Sequence, residues 1–428
     1  MTALENDTWA GEFDIRSRLD ETEALCRAHS GVGRAALGRL LGGMQEIASQ
    51  GAWVTVHDGR RFLNFGGHGV YLLGHRHPVV TAAVHRQIDE HPMSTRVFFE
   101  PVAIHAAADL AAVAPAGLDL VHFVNSGAEA TEAALKLARA HGKSALVTTH
   151  NGFHGKTLGA LSVTARRVFQ EPFEPLLPDV TVVPYGDADA LDTALAAVAG
   201  RGVFIVEPVQ GEGGVIVPPA GYLAAAADSC RRHDVLLIVD EIQTGLGRLG
   251  SWWGVDDEGV TPDIMLVGKG LSGGVVPIGA VVTTAQLYAP FAKDPYLHSS
   301  TFAASPIACA AASAAIRALR AENIVSRAAG LGERLIDAVR EIVSSHPGSG
   351  PIEVRGRGLL IGIEFPEPGL VGDLYLNLVD RGVLVNHSLN SPTVLRLTPP
   401  AVLSADELDL FTTVFAEALA QTLSRSAS

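Results

Sequence analysis

The residues best suited to chemistry in this chain stand at the ends of short apolar runs. Asn125-Ser126-Gly127-Ala128 follows LVHFV, Glu207 follows GVFIV, Asp240-Glu241-Ile242-Gln243 follows VLLIV, and Lys269 follows IMLVG. In open α/β sheets ligands bind in the crevice outside the carboxyl ends of the strands, so this spacing predicts one shared site. Ser126-Gly127-Ala128 also opens a long helical stretch, where free backbone N–H groups and a hydroxyl suit a phosphate dianion. Ser126 with Glu129 three residues later reads equally as an N-cap, and the two readings are compatible. Taken singly, Asp240 reads as a cap of the next turn and Lys269 as a surface lysine. Their joint occurrence at strand ends is what makes a site.

The elements that must position these residues follow from the same pattern. Near-continuous apolar strands alternate with Ala-rich helical stretches such as ATEAALKLARAH and YLAAAADSCRRHD, which indicates an α/β core with a mostly parallel sheet covered by helices on both faces. Ahead of it, residues 12–50 read as amphipathic helix, and GAWVTVHDGRRFLNF (51–65) alternates apolar and polar residues around Asp58-Gly59, a hairpin signal. A helix-rich stretch from about 304 to 345 leads to Pro347-Gly348-Ser349-Gly350-Pro351, a linker, and then to short strands at VRGRGLLIGIEF and VLVNH before a final helix. The expected division is an N-terminal segment of a small lobe (1–65), a large α/β domain (66–329) and a C-terminal small α+β domain (330–428).

Composition narrows the function class. The chain has 428 residues, 47% apolar and 18% charged, which excludes a disordered or coiled-coil chain. Its net charge of −14 opposes nonspecific binding of polyanions, so nucleic acid is not an expected partner. The three cysteines form no CxxC pair and fit reduced thiols, the N-terminus lacks a signal-peptide pattern, and the longest small-residue run, Ala303 to Ile316, is too short to span a bilayer. The expectation is a cytoplasmic protein with no membrane contact.

Two motifs invite other readings. Gly245-Leu246-Gly247-Arg248-Leu249-Gly250 matches GxGxxG, but the dinucleotide fingerprint needs glycines leading straight into a helix, and here Ser251-Trp252-Trp253-Gly254 follows. His75 and His77 flank Arg76 without an HExxH pattern or an acidic cluster, so no metal is expected.

Taken together, NSGAEATEAALKLA (125–138), GFHGKTLGA (152–160), EPVQGEGG (207–214), VDEIQTGLGR (239–248), DIMLVGKG (263–270), HSSTF (298–302) and LRLTPP (395–400) resemble the class III, or ω-type, aminotransferases. These are pyridoxal 5'-phosphate enzymes of fold type I, and within them the chain is most similar to the putrescine and ornithine-type members. The resemblance implies a small α+β lobe assembled from the N- and C-terminal segments. It implies that Lys269 forms the Schiff base with the cofactor and then moves the substrate proton, while Asp240 pairs with the pyridine nitrogen. Gln243 would contact the ring hydroxyl, Phe153 would stack on the ring with His154 beside it, and Glu207 would lie near the cofactor. Ser126, Gly127 and Ala128 would hold the phosphate together with Thr301 of a second subunit, which implies a homodimer with shared sites. Arg396 would bind the α-carboxylate of an acidic substrate, with Glu212 neutralising it when the other substrate is present; a purely structural Arg396–Glu212 pair is the alternative.

Three departures lie beside these motifs. Phe302-Ala303-Ala304-Ser305 stands where relatives commonly have Phe-Gly-Gly-Asn, and Gly268-Lys269-Gly270-Leu271-Ser272 where they commonly have Ala-Lys-Ala-Leu-Gly. His68 stands where an apolar or aromatic residue is usual at the pocket mouth, either meeting substrate or packing. The implied activity is transfer of an amino group between a terminal amine or ω-amino acid, or the corresponding aldehyde, and a keto acid such as 2-oxoglutarate or pyruvate. The alternatives are racemisation, elimination or C–C bond formation on a specialised substrate, or a catalytically silent homologue.

Overall fold

The computed structural model describes residues 20–346 and 351–426. Its centre is a seven-stranded sheet in the order β4-β10-β9-β8-β7-β5-β6. These are β4 (Leu120–Val124), β5 (Ala145–Thr149), β6 (Val180–Val183), β7 (Gly202–Val206), β8 (Leu236–Asp240), β9 (Ile264–Val267) and β10 (Gly279–Thr283). Only β10 runs antiparallel to its neighbours, so the sheet is mostly parallel, as the apolar runs predict. Every residue of β5, β7 and β9 is buried, because helices cover both faces and leave no solvent side for an alternating pattern.

Two smaller sheets frame it. β1 (Glu46–Gln50), β2 (Trp53–Val56) and β3 (Arg61–Asn64) form an antiparallel meander, and the β2–β3 turn contains Asp58-Gly59, with Gly59 at φ 88°. β13 (Val383–Leu384) joins β3 in parallel, so strands from the two ends of the chain share one sheet. β11 (Glu353–Arg357), β12 (Leu360–Glu364), β15 (Val394–Leu397) and β14 (Asn386–His387) form the third sheet in that order. The last helix, Ala405–Ser426, docks on the first sheet through Phe411, whose ring stacks on Phe65 at 3.8 Å.

One expectation is corrected. Helix does not continue to residue 50: it ends with Val32–Leu40, and residues 46–50 form β1. Pairing with β2 supplies backbone partners that override the weak helical pattern of EIASQ. The expected helix at 12–19 and linker residues 347–350 lie outside the described residues.

Candidate active site

The sheet delivers the predicted residues to one crevice. Asp240 ends β8, Glu207 follows β7, Lys269 lies two residues past β9, and Ser126 follows β4 as N-cap of the helix Gly127–Ala140. Gly127, Ala128, Phe153, His154, Glu207, Asp240, Gln243 and Lys269 line one cavity of about 230 Å³, together with Gly155 and Ile242. An adjoining space of about 390 Å³ shares Gly127 and Lys269 and reaches Ser126 and Asn125.

Asp240 is held on two sides. Its Oδ1 accepts from Ile242 N at 3.0 Å, and its Oδ2 lies 2.7 Å from His154 Nδ1. A carboxylate can only accept, so Nδ1 carries the hydrogen, and His154 Nε2 is left buried without a partner. Glu207 braces two loops: it accepts from Phe153 N and from Gly211 N, each at 3.0 Å. Burial pushes its carboxyl up to about 7, and Asp240's charge adds to that push, while His154 and the two amides oppose it.

Lys269 has a positive φ of 44°, a strained setting for a residue with a side chain. The protein packed around its ammonium lowers its pKa, and Arg396's charge acts in the same direction. Glu212, Asp240 and Glu207 pull the other way. Arg396, on β15, is fully buried, and its Nη1 lies 2.7 Å from Glu212 Oε1. That contact is close enough for ion pairing, yet none of the three guanidinium nitrogens has a well-directed hydrogen-bond acceptor. Burial alone would raise Glu212's pKa, but Arg396, Lys269 and the Leu389 amide outweigh it and hold the group below the usual glutamate value.

The loop carrying His68 closes the other side. His68 adopts φ 53°, its N–H donates to Asn386 Oδ1 at 3.1 Å, and its carbonyl accepts from Gln243 Nε2 at 3.5 Å. Burial and the charge of Arg396 lower its pKa, against a pull from Glu212, so the imidazole is neutral at pH 7. Asn386 and Gly211 are site residues that sequence reasoning missed. A Cβ on Gly211 would sit 1.5 Å from Gln243 Oε1, so any larger residue there must displace the Gln243 side chain. Asn386 lies in VLVNH, where the local pattern reads only as a short strand, and it meets its partner 318 positions away. Ser126 lines only the adjoining space, Arg396, Glu212 and His68 line neither, and Thr301 is exposed on the loop before the helix Pro306–Ala321.

Gly245 to Gly250 form turns with no helix behind them, and Gly250 abuts Ala329. His75 contacts Asn64 and His77 pairs with Glu322.

The cavity fits pyridoxal phosphate on its own geometry. It offers an amine, a buried carboxylate, an aromatic face, and a helix N-terminus at Gly127, where a Cβ would crowd Ile242 Cδ1 at 2.7 Å.

The family model for class-III aminotransferases matches residues 45–419. The ornithine aminotransferase of Toxoplasma gondii is 32% identical, with a TM-score of 0.89 and 98% of each chain covered. An (S)-enantioselective ω-transaminase from Thermomicrobium roseum is 29% identical, with a TM-score of 0.84 over 94% of this chain and 98% of that one. An amine transaminase from an uncultivated Pseudomonas species is also 29% identical, with a TM-score of 0.80 over 88% and 95%. The strand-end cavity thus lies in a chain that belongs to the class III aminotransferases, pyridoxal-phosphate-dependent enzymes of fold type I.

Proposed function

We propose that this enzyme moves an amino group between a terminal amine or ω-amino acid, or the corresponding aldehyde, and a keto acid such as 2-oxoglutarate or pyruvate. The observation that carries the reading is the buried Arg396–Glu212 contact, whose charges reach Lys269. An arginine with unspent donors can take a carboxylate bidentately. When the other substrate lacks that carboxylate, Glu212 compensates the guanidinium.

When bound, pyridoxal phosphate supplies an electron-withdrawing ring that accepts the electron pair released as the substrate C–H bond breaks. Lys269 holds the cofactor and moves the substrate proton at Nζ; its lowered pKa raises the fraction of neutral amine available as a base. Asp240, steadied by His154, would keep the ring nitrogen protonated, and Gln243 would meet the ring hydroxyl. Phe153 would stack on the ring and Ser126, Gly127 and Ala128 would receive the phosphate, while Glu207 braces the Phe153 and Gly211 loops. His68, whose imidazole feels the charges of Arg396, Glu212 and Lys269, would meet substrate at the mouth.

We also propose a homodimer in which Thr301 completes the partner's phosphate site. Phe98, Phe99 and Tyr296 are exposed at 82%, 94% and 86%, and Arg96 ties their two segments by donating to Ser300 O. So much exposed aromatic surface beside Thr301 favours a covered face. The division 1–65, 66–329 and 330–428 stands as a proposal, with the helix Ile324–Ser344 running across its second boundary. Among the described residues no helix is long and apolar enough to cross a membrane; the cytoplasm is the proposed compartment.

The test is the visible absorbance of the holoenzyme on adding putrescine, ornithine, lysine, 4-aminobutyrate, glutamate or alanine, one at a time, with no acceptor. Bleaching of the cofactor band by one amine, reversed by a keto acid, supports the reading and names the donor. A band unchanged by every donor overturns the substrate class.

A further inference from the structure

Arg248 is a buried cation that the site above does not use. It is 1% exposed. Its Nη1 donates to Pro399 O at 2.5 Å and Leu359 O at 3.2 Å, its Nη2 donates to Gly69 O at 3.3 Å, and its Nε has no partner. All three acceptors are neutral carbonyls, and among the described residues no carboxylate pairs with it. Gly69 follows His68, Leu359 leads into β12, and Pro399 follows β15, which carries Arg396. β12 and β15 are paired, with Gly362 opposite Arg396, so both guanidiniums are anchored to one ladder.

Arg396 has Glu212 as its counterion; Arg248 has none. An uncompensated buried charge is costly, and carbonyl dipoles offset only part of that cost. Burial pushes Arg248's pKa down to about 9, with Arg396's charge adding to the effect, which still leaves it protonated at neutral pH.

We propose that Arg248 is a specificity-determining residue whose unpaired buried charge biases the Arg396 pocket toward dicarboxylates over amines, without touching the substrate. The proposal rests on the reading of Arg396 as the carboxylate site. A buried unit charge whose field reaches the Arg396 guanidinium changes the binding of a dianion there by about tenfold.

The experiment uses glutarate, a dicarboxylate with no amino group, as a competitive inhibitor of the holoenzymes R248Q, R248K and R396M. Arg248→Gln should weaken glutarate about tenfold while leaving kcat with an amine donor within twofold. Arg248→Lys keeps the charge and should retain glutarate binding within twofold, even where its lost carbonyl contacts lower Tm. Equal loss in the Gln and Lys variants makes Arg248 a structural clamp and overturns the proposal, as does unchanged binding in R248Q. If R248Q does not fold, Arg248→Met serves as the neutral variant: a tenfold loss of glutarate affinity that R248K does not share supports the charge, and unchanged affinity overturns it. Unchanged glutarate binding in R396M overturns the underlying reading of Arg396, and the proposal with it; loss in R396M without loss in R248Q overturns only the role of Arg248.

Discussion

His154 Nδ1 donates to Asp240 Oδ2 across 2.7 Å, and both side chains are closed to solvent. The bond fixes the carboxylate that faces the cofactor cavity. His154→Ala should raise the cofactor dissociation constant and lower kcat by roughly tenfold to a hundredfold, the range of one charge-assisted hydrogen bond. Cofactor titration and steady-state kinetics check this; values within twofold of the parent would show that Asp240 needs no support.

Lys269→Ala should still bind the cofactor, because the helix N-terminus, Asp240 and Phe153 remain. Turnover should fall at least about a thousandfold with the loss of both the covalent anchor and the base. A single-turnover assay with an added amine donor measures the residue left. Appreciable transamination by the variant would remove Lys269 from its assigned role.

Gly211→Ala would place a Cβ 1.5 Å from Gln243 Oε1, and Gln243 in turn supports the carbonyl of His68. The side chain must swing away, at a cost of about 1–3 kcal/mol in a packed wall. Lower Tm with weaker cofactor binding is the expected pair of results, read by thermal unfolding with and without cofactor.

Glu241 is buried beside Thr244, and its carboxyl is pushed up to about 7, chiefly by burial. The folded state keeps this proton above pH 4.5 while the unfolded chain loses it. The stability it contributes is therefore complete below about 4.5 and is lost as pH rises toward 7, by at most about 1.4 kcal/mol per pH unit. Glu207 acts with the same sign. Glu241→Gln should flatten the fall of Tm between pH 5 and pH 7, and parallel Tm curves for the two proteins would contradict the assignment.

Much of the site was legible because parallel strands are read from apolar runs and place whatever follows them at one edge. Asp240, Lys269 and Ser126 were found that way. The fold type, the roles of Phe153 and Gln243, and the pairing of Arg396 with Glu212 came from resemblance to known motifs. Residues whose role depends on remote contacts carried no local signal. Asn386 supports His68 from the third sheet, and Arg248 sits inside an apparent glycine motif while bonding to carbonyls up to 179 residues away. EIASQ misled because five residues hold too little periodicity to reveal a strand set by its partner.

The most direct test of the dual-specificity account is the KM for 2-oxoglutarate in Arg396→Ala, measured beside the amine-donor half-reaction. Loss of a buried bidentate carboxylate site should raise that KM by roughly a hundredfold or more while the amine half-reaction stays within a few-fold of the parent. An unchanged KM would contradict the account and leave Arg396 and Glu212 as a structural pair.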